Sequence, residues 1–426
     1  MKKFIQKLVQ VKARRVVKKF KPRIVAITGS VGKTSTKNAI AAVLKTKFDV
    51  RVAEGNYNNE FGVPFAILGV ESPGRSILGW LKILLKSEKH FPQVLVLEFG
   101  ADKPGDILAL CELVVPEVGA VTAITPVHVE NYGSDIEKLA AEKRKLIESL
   151  PANGLAVLNA DDELVRGFAS ASKAPVVTYG FNSGDVRGSE QILETLEDFS
   201  FEPRETFATT KFNLVFKMDS IGVELKNALG RGQVLAALSA FAVGDYFGVS
   251  SEEIIKALSN LEPIAGRLRP LAGIKGSLII DDSYNAAPAS VSVALKVLSA
   301  FEPRENRRRI AVLGDMGELG TYSEAEHRNI GLQAATVADL LFCVGEKSRD
   351  LAAGAREAGM DPEKIREFSS SVEAGRHLDT EIKQGDIVLI KGSQSMRMEK
   401  VVKDVMAEPL RAGELLVRQY GKWLES

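Results

Sequence analysis

The feature that most restricts how this chain can fold is a turn with two glycines between an apolar run and a helical segment. Residues 23–29 read RIVAITG, and SVGKTST follows at the start of a helical pattern that extends to Leu44. The spacing is G-x-x-G-K-T, because Ile27 stands where the usual phosphate-binding loop has its first glycine. Free N–H groups at a helix start, together with the helix dipole, attract phosphate. The sequence therefore predicts a buried strand, a phosphate-binding loop and a helix.

This loop supplies the first candidate site residues. Lys33 is placed to reach the outer phosphates of ATP, and the Thr34 hydroxyl suits Mg²⁺. The alternative is a strand-to-helix turn with a chance lysine, but the run G-K-T-S-T favours phosphate binding. The predicted nucleotide contacts in the loop are Gly29, Ser30, Val31, Gly32, Lys33, Thr34 and Ser35.

Short apolar runs alternate with helical patterns along most of the chain, which predicts a mainly parallel α/β sheet. The 426 residues are 45% hydrophobic and 26% charged, as in ordinary globular proteins, and are enough for two or three domains. A formal net charge of +1 gives no reason to expect a nucleic-acid partner. Besides residues 23–29, the predicted strands of the first domain are 93–100, 118–125, 154–162 and 174–180.

Three parts are predicted along the chain: a basic amphipathic helix over 1–22, a P-loop-type ATP-binding domain over 23–268, and a smaller Rossmann-like domain over 269–426. Residues 185–230 lose the alternation and predict short antiparallel strands. Prolines and glycines over 261–273 predict a linker. Four strands are predicted in the last domain, at 277–283, 308–315, 340–345 and 386–393.

The first 23 residues hold ten lysines and arginines, no acidic residue, and an apolar stripe at helical spacing. The favoured interpretation is a helix that packs on the main body with its lysines in water. The alternative is a helix that lies on an anionic membrane surface. No apolar run reaches the roughly 20 residues of a transmembrane helix. The two distant cysteines, Cys111 and Cys343, indicate a reducing compartment, so we expect a cytoplasmic protein, with membrane association as the alternative. We also expect a monomer.

Four further segments, taken in order with the loop, resemble the Mur ligase family, the ATP-dependent amide-bond ligases of peptidoglycan assembly. They are EGNYNNEFGVP (54–64), DDSYNAAP (281–288), LGDMGELGTYSEAEH (313–327) and LIKGSQSMRME (389–399). The resemblance covers about residues 23–405 and is strongest to the branch that adds D-alanyl-D-alanine. It implies an ADP-forming ligase of cell wall biogenesis that joins D-Ala-D-Ala to UDP-MurNAc-tripeptide through an acyl phosphate, with ATP and Mg²⁺ as cofactors and small molecules as substrates.

The resemblance also assigns metal and catalytic residues. Glu98 ends an apolar strand, where open α/β sheets bind ligands, and the family's matching glutamate binds Mg²⁺. His128 matches a histidine that contacts a second Mg²⁺, although a lone histidine is more often packed or hydrogen-bonded. Lys143 matches a carbamylated lysine whose carboxylate helps to hold the metal. From composition alone it is a solvated lysine beside Glu142, and Lys145 is the alternative position. Lys33, His128 and Lys143 are the implied catalytic residues.

The second half of the chain carries the remaining implied residues. Arg267 matches a family arginine at the phosphates, Asp282 an aspartate on the ribose, and Asn285 belongs to the same polar cluster. Lys391 and Ser393 end a strand and could hold a substrate carboxylate. His327 is a secondary candidate. The chain departs from the family at Ala287, Gly232, Gln233 and Ala236, where relatives have asparagine or histidine residues, some of them near the adenine.

Only 22 residues precede the first strand, whereas ligases of this branch carry an N-terminal domain that holds the UDP-sugar. We expect the segment 55–62, with Asn58 and Asn59 as substrate contacts, and the central domain to take over this role. A different or lipid-bound acceptor is the alternative. Two other functions remain open: a related ligase of the poly-γ-glutamate or folylpolyglutamate type, and a P-loop switch or motor ATPase that forms no bond.

Overall fold

The computed structural model describes residues 2–52, 57–74, 76–86, 89–126, 129–133, 135–195, 206–301 and 307–424. Internal contacts divide the chain into two compact units. The first unit contains Met1–Gln191, Phe212–Val223 and Arg231–Leu261, and the second contains Ile192–Lys211, Glu224–Gly230 and Glu262–Ser426. The chain passes between the units several times, and it enters the second unit for the last time after Leu261. The domain limits that we derive from the sequence stay a prediction.

A nine-stranded sheet has the order β2-β3-β1-β4-β5-β6-β7-β8-β9. Strand β1 is parallel to both of its neighbours, β3 and β4. The chain leaves β1 toward β2 and β3 on one side, while β4 lies on the other, so the loop after β1 is at a switch point of the sheet. The strands are β1 (Arg23–Thr28), β2 (Val50–Val52), β3 (Val94–Glu98), β4 (Val118–Val121), β5 (Leu155–Asn159), β6 (Val176–Gly180), β7 (Val186–Thr195), β8 (Ala208–Phe216) and β9 (Asp219–Lys226).

Helices of the first unit pack their apolar faces on this sheet and on one another. In α2 the residues Ile40, Val43 and Leu44 recur at helical spacing and are fully buried. The helices are α1 (Lys2–Phe20), α2 (Lys33–Leu44), α3 (Gly62–Leu68), α4 (Ile77–Leu85), α5 (Asp106–Leu113), α6 (Ile136–Glu148), α7 (Glu163–Gly167), α8 (Arg231–Tyr246) and α9 (Ser251–Ser259).

The basic helix α1 contacts α3 and α4. Its residues Val9 and Ala13 are buried, and Val16, Val17 and Phe20 pack against the same core. The apolar stripe therefore packs on the protein's own body, which is the arrangement that the favoured interpretation of this segment expects. No described helix is long and apolar enough to cross a bilayer.

The second unit contains a six-stranded sheet with the order β10-β11-β15-β12-β13-β14. Only β10 is antiparallel to its neighbour. The strands are β10 (Arg269–Ala272), β11 (Leu278–Asp282), β12 (Arg309–Gly314), β13 (Leu340–Val344), β14 (Ile365–Phe368) and β15 (Ile387–Lys391). The sequence predicts four strands here and misses β10 and β14. The short strand β10 contains a proline and lies within the predicted linker, and half-polar IREF of β14 gives little strand signal.

Both faces of this sheet are covered, because alternate strand residues belong to two different cores. Leu278, Ile280 and Leu313 belong to one core, and Ile279, Val312 and Val388 belong to the other. The helices are α10 (Pro288–Ser299), α11 (Ser323–Val337), α12 (Ser348–Glu357), α13 (Ser371–Glu381), α14 (Glu399–Val405) and α15 (Ala412–Leu415). Short 3-10 segments lie at Val129–Tyr132, Phe168–Ala171, Ile274–Gly276, Gly320–Tyr322, Pro362–Lys364, Gln394–Met396, Pro409–Arg411 and Gly421–Leu424.

Candidate active site

The turn between β1 and α2 presents an open helix N-terminus. Gly32 precedes α2 with φ of 83°, a left-handed conformation that favours glycine, and no side chain caps the helix. The first N–H groups of an α-helix have no partner within the helix, so they are available to an anion. The structure thus provides at residues 29–35 the backbone geometry that the motif predicts for phosphate binding, while the individual contacts stay predictions.

Thr122 fixes the shape of this loop. Its hydroxyl donates to the carbonyl oxygens of Val31 at 2.6 Å and Thr28 at 3.2 Å. Gly29 has φ of 141°, and a Cβ on it would lie only 1.9 Å from the Thr122 hydroxyl oxygen. Ser30 adds a backbone hydrogen bond to Ala123 at 2.6 Å. The loop is therefore bound to the end of β4, and this is why position 29 must be glycine.

Lys33 and Thr34 extend from the start of α2 in different directions. The Lys33 ammonium donates to the carbonyl oxygens of Gly29 at 2.8 Å and Ser30 at 3.0 Å, so it lies over the loop. The Thr34 hydroxyl donates to the Glu98 carboxylate at 3.0 Å. A cation and a hydroxyl–carboxylate pair therefore flank the free N–H groups of the helix start.

Glu98 is the last residue of β3 and is 7% exposed. Besides Thr34, its carboxylate has the Asn58 amide at 3.5 Å. No group of three or more His, Cys, Asp or Glu within the described ranges is arranged to hold a metal. A hydroxyl and a carboxylate are nevertheless oxygen ligands that Mg²⁺ prefers when phosphate oxygens and water complete its shell. Thr34 and Glu98 therefore fit an ion that arrives with a nucleotide.

Lys143 of α6 is buried, 3% exposed, and donates to the Gly29 carbonyl oxygen at 3.1 Å. Burial, with the nearby positive charge of Lys33 as a second cause, lowers the pKa of Lys143 from 10.5 to about 7. The alternative of a solvated lysine at this position is wrong, because α6 turns this side chain toward the phosphate loop. A large part of these amines is uncharged at neutral pH.

Glu142 and Lys145 form a separate structural pair. The buried Glu142 carboxylate accepts hydrogen bonds from the backbone N–H groups of Gly105 at 3.0 Å and Ile107 at 2.9 Å. It therefore satisfies donors at the start of α5. Lys145 contacts the same carboxylate at 2.5 Å. Lys145 is thus engaged away from the loop, and Lys143 is the lysine beside it.

Two further residues of the first half of the chain, Asn59 and His128, also have predicted roles. The Asn59 side-chain oxygen accepts from the backbone N–H groups of Phe61 and Gly62, so it organises the turn before α3. Its substrate role, like that of Asn58, stays a prediction. His128 lies outside the described residues, and its metal role also stays a prediction.

The second unit gathers Asp282, Asn285 and Lys391 at the carboxyl ends of β11 and β15. The Lys391 ammonium lies 2.7 Å from the Asp282 carboxylate and donates to the Asn285 carbonyl oxygen at 2.8 Å. Lys391 is only 2% exposed. Burial lowers its pKa, although the Asp282 charge acts in the opposite direction. Lys391 therefore orients the aspartate predicted to hold the ribose, and its predicted role at a substrate carboxylate stays untested.

Asp281 organises the turn that follows β11. Its fully buried carboxylate accepts from the backbone N–H groups of Gly266 and Ser283, both at 3.0 Å. Burial raises the pKa of Asp281 to about 6. Arg267 lies over the Tyr284 ring, 4.0 Å from its centroid. The predicted polar cluster is thus compact, although the nucleotide contact of Arg267 stays a prediction.

Arg418, from the end of the chain, supports this cluster and is absent from the residues that the sequence predicts. It donates to the carbonyl oxygens of Ser283 and Tyr284 and to the Glu399 carboxylate at 3.1 Å. Glu399 is fully buried and also pairs with Arg397. A buried glutamate between two arginines fixes the loop 283–285, and nothing in a single motif indicates this arrangement.

Of the remaining candidate residues, His327 and Ser393 form hydrogen bonds within the protein. His327 is fully buried in α11, accepts at Nε2 from the Met316 N–H at 2.9 Å and donates from Nδ1 to the Ser323 carbonyl at 2.7 Å, so it is structural. The Ser393 hydroxyl lies 3.1 Å from that of Ser395. Ala287 precedes α10, and Gly232, Gln233 and Ala236 lie in the first turns of α8.

Two family models match the chain. One, the Mur ligase middle domain, matches residues 27–244, and the other, the Mur ligase glutamate ligase domain, matches residues 266–394. The chain therefore belongs to the Mur ligase family and is an ATP-dependent peptide ligase.

Individual relatives and solved structures that resemble this chain belong to one branch of the Mur ligases. The UDP-N-acetylmuramoyl-tripeptide–D-alanyl-D-alanine ligase of Bacillus subtilis (strain 168) is 29% identical, over 93% of this chain and 79% of its own. The ligase of the same name from Mycobacterium bovis is 32% identical, over 90% of this chain and 73% of its own. The crystal structure of MurF ligase from Thermotoga maritima in complex with ADP has a TM-score of 0.76 at 26% identity, covering 94% of this chain and 83% of that one.

These similarities confirm three predictions from the sequence: the Mur ligase family, the α/β fold class with two sheets, and an ATP-dependent ligase of peptidoglycan synthesis. They also agree with the branch that the motifs indicate, because these relatives are D-alanyl-D-alanine-adding ligases.

Proposed function

We propose that this chain joins D-alanyl-D-alanine to the terminal carboxylate of a UDP-N-acetylmuramoyl-tripeptide and converts ATP to ADP and phosphate. The observation that carries the proposal is the uncapped start of α2, flanked by the Lys33 ammonium and the Thr34–Glu98 pair. The printed activity of relatives that match about nine-tenths of the chain supplies the substrates.

The phosphates of ATP would bind at residues 29–35. The N–H groups at the start of α2 would donate hydrogen bonds to the phosphate oxygens, and Lys33 needs only to exchange its two loop carbonyl acceptors for phosphate oxygens. Gly29 and Gly32 keep side chains out of this space. The loop therefore orients the terminal phosphate and neutralises part of its charge.

Thr34 and Glu98 would hold Mg²⁺, which supplies charge neutralisation when phosphoryl transfer builds negative charge on the phosphate oxygens. The protein's own contribution is to keep these two oxygen donors 3.0 Å apart at the edge of the sheet. Arg267, Asp282 and Asn285 remain proposed contacts of the nucleotide.

Lys143 is proposed to react with CO₂ and become a carbamate. Its uncharged amine attacks the carbon of CO₂ and releases one proton to solvent, so a neutral group becomes a negative one. The pKa of about 7 supports this step, because the uncharged amine is present at neutral pH. The product would place a carboxylate beside Gly29 and Lys33.

The reaction itself would run in two steps. The substrate carboxylate attacks the terminal phosphate of ATP, which gives an acyl phosphate and ADP. The amine of the dipeptide then attacks the acyl carbon, and phosphate leaves as the amide forms. The protein's main work is to position these groups, an effect that can be worth roughly 7–11 kcal/mol.

The decisive experiment supplies the purified chain with ATP, Mg²⁺, UDP-MurNAc-tripeptide and D-Ala-D-Ala, and measures phosphate release and product mass. We expect phosphate release that requires both substrates and a product enlarged by the dipeptide. A Lys33→Ala variant should remove both signals. Equal phosphate release without the dipeptide would contradict the proposal and favour a switch ATPase. Product formation with glutamate in place of the dipeptide would favour the poly-γ-glutamate type of ligase.

A further inference from the structure

Helix α4 carries a broad apolar face that no described part of the chain covers. Ile77 is 80% exposed, Leu78 79%, Leu81 51% and Leu85 73%. These positions recur at intervals of one, three and four residues, so they lie along one side of the helix. Single exposed leucines are ordinary, but a contiguous row of four indicates an interaction surface.

The opposite side of α4 is firmly attached to the protein. Ile83 is buried, and Trp80 and Leu84 pack against the core beneath α1 and α3. The Lys12 ammonium of α1 donates to the carbonyl oxygens of Ile83 and Leu84 at the end of α4. The exposed row is therefore presented by a fixed helix rather than by a loose segment.

The helix attached to α4 is strongly basic on its outer side. Exposed positions on α1 and just after it are Lys7, Leu8, Val11, Arg14, Arg15, Lys18, Lys19 and Lys21. Residues 1–23 contain no acid, whereas the rest of the chain has more acidic than basic residues. Positive charge is thus concentrated on α1, the helix to which the attached side of α4 is bound.

We propose that α1 and α4 form a docking surface for an anionic lipid bilayer, in which the apolar row of α4 enters the headgroup region and the basic residues of α1 contact lipid phosphates. An apolar helix face beside lysines and arginines matches the chemistry of an interfacial helix. Two more exposed basic residues, Lys82 on α4 and Lys86 directly after it, extend this match. The surface lies on the membrane and does not span it, since no described helix is suited to cross a bilayer.

A bilayer fits this surface better than a second copy of the chain does. Two copies that joined these faces would bring two acid-free, basic helices toward each other, and this repulsion would oppose the apolar contact. Lipid phosphates instead supply the opposite charge. The inference is independent of the proposed function, because it uses no residue of the phosphate loop.

Vesicle co-sedimentation with the full chain tests the proposal. We expect pelleting with phosphatidylglycerol–phosphatidylcholine vesicles, little with phosphatidylcholine alone, and weaker binding at high salt. Leu78→Glu/Leu81→Glu and Arg14→Glu/Arg15→Glu should each lower the partition coefficient at least about tenfold. The matched controls are Leu410→Glu, at a fully exposed leucine of the second unit, and Lys256→Glu/Lys296→Glu. Both controls should bind vesicles as the unaltered chain does.

The proposal would be overturned by no pelleting of the unaltered chain with anionic vesicles, by equal losses in the control variants, or by wild-type binding of Leu78→Glu/Leu81→Glu. A dimer that this variant converts to monomer, without vesicle binding, would assign the face to a second copy and overturn it as well. The substituted side chains of these vesicle-binding variants are all exposed, so folding is preserved and is checked by thermal melting.

Tryptophan fluorescence gives an independent measurement. The chain has two tryptophans, Trp80 on the attached side of α4 and Trp423, so Trp80→Phe/Trp423→Phe/Leu81→Trp leaves a single reporter within the apolar row. Bromine on the lipid acyl chains should quench the fluorescence of this tryptophan in anionic vesicles and not in neutral ones. Absence of quenching, with the protein pelleted, would show that α4 stays outside the bilayer and would contradict the proposal.

Discussion

Each unit buries one lysine at a candidate site, and the two lysines differ in their partners. Lys391 of the second unit forms an ion pair with Asp282 at 2.7 Å. Lys143 of the first unit donates to the Gly29 carbonyl, and among the described residues no carboxylate lies within ion-pair distance of it. Burial lowers the pKa of both, to about 7 for Lys143.

The difference separates a structural role from a chemical one. A buried ion pair holds two side chains in one geometry, and its loss leaves an uncompensated charge. A buried lysine without an acid partner loses its proton easily, which costs stability but makes the amine reactive. We therefore expect Lys391 to matter for folding and Lys143 for turnover.

The largest effect should come from Lys391→Met, which leaves the Asp282 carboxylate buried without its cation. We expect a loss of about 3–5 kcal/mol in the free energy of unfolding, measured by urea denaturation. The double variant Asp282→Asn/Lys391→Met removes both charges and should recover most of this loss. If the single variant were as stable as the unaltered chain, the ion pair would have no structural role.

Lys143→Met should lower turnover by about 10²–10³-fold, because it removes the group that we place beside the phosphates. Steady-state phosphate release with both substrates measures this effect. Lys145→Met is the matched control, since its ammonium contacts Glu142 and lies away from the loop. A similar loss in the control would point to damage of helix α6 and not to chemistry at Lys143.

The same Lys143→Met variant should be more stable than the unaltered chain by up to about 4 kcal/mol at pH 7 in buffer free of bicarbonate. Between pH 7 and about 10 the unfolded chain keeps the Lys143 proton that the folded chain has lost, so wild-type stability rises with pH in this window. The advantage of the variant should therefore shrink as pH rises. An advantage that is constant with pH would contradict a lowered pKa.

The smallest effect is expected for Arg418→Lys, which keeps the charge near Glu399 but loses hydrogen bonds to the 283–285 loop. We expect a loss of about 1 kcal/mol in stability and a rise in the KM for ATP with little change in kcat. Arg411→Lys, at a half-buried arginine that pairs with Glu408 and Glu414 away from this loop, is the control. A fall in kcat without a change in KM would assign Arg418 another role.

The sequence predicts the parts of the site that depend on residues adjacent in the chain. Lys33 and Thr34 follow from the motif, and Glu98 follows from its place at the end of an apolar strand. The main strands of both sheets follow from runs of buried apolar residues. Strands β10 and β14 could not be predicted in this way, because pairing with β11 and β13 defines them more than their own residues do.

Contacts between distant residues are the part that sequence alone could not provide. Lys143 lies 114 residues from Gly29, and Arg418 lies 135 residues from Ser283. The resemblance to Mur ligases indicated Lys143, but its burial and the pairing of Lys145 with Glu142 depend on how α6 packs. No motif contains Arg418, so only the folded chain brings it to the loop.

The hydrogen bonds from the Thr122 hydroxyl to the phosphate loop affect the entropy of nucleotide binding. Because the Thr122 hydroxyl and the Ser30–Ala123 hydrogen bond already order residues 28–31, little conformational freedom remains for a nucleotide to remove. Calorimetry should then find that triphosphate binding is accompanied by a small entropic loss from the protein. Thr122→Val would restore that freedom, and weaker binding would appear mainly as a less favourable entropy.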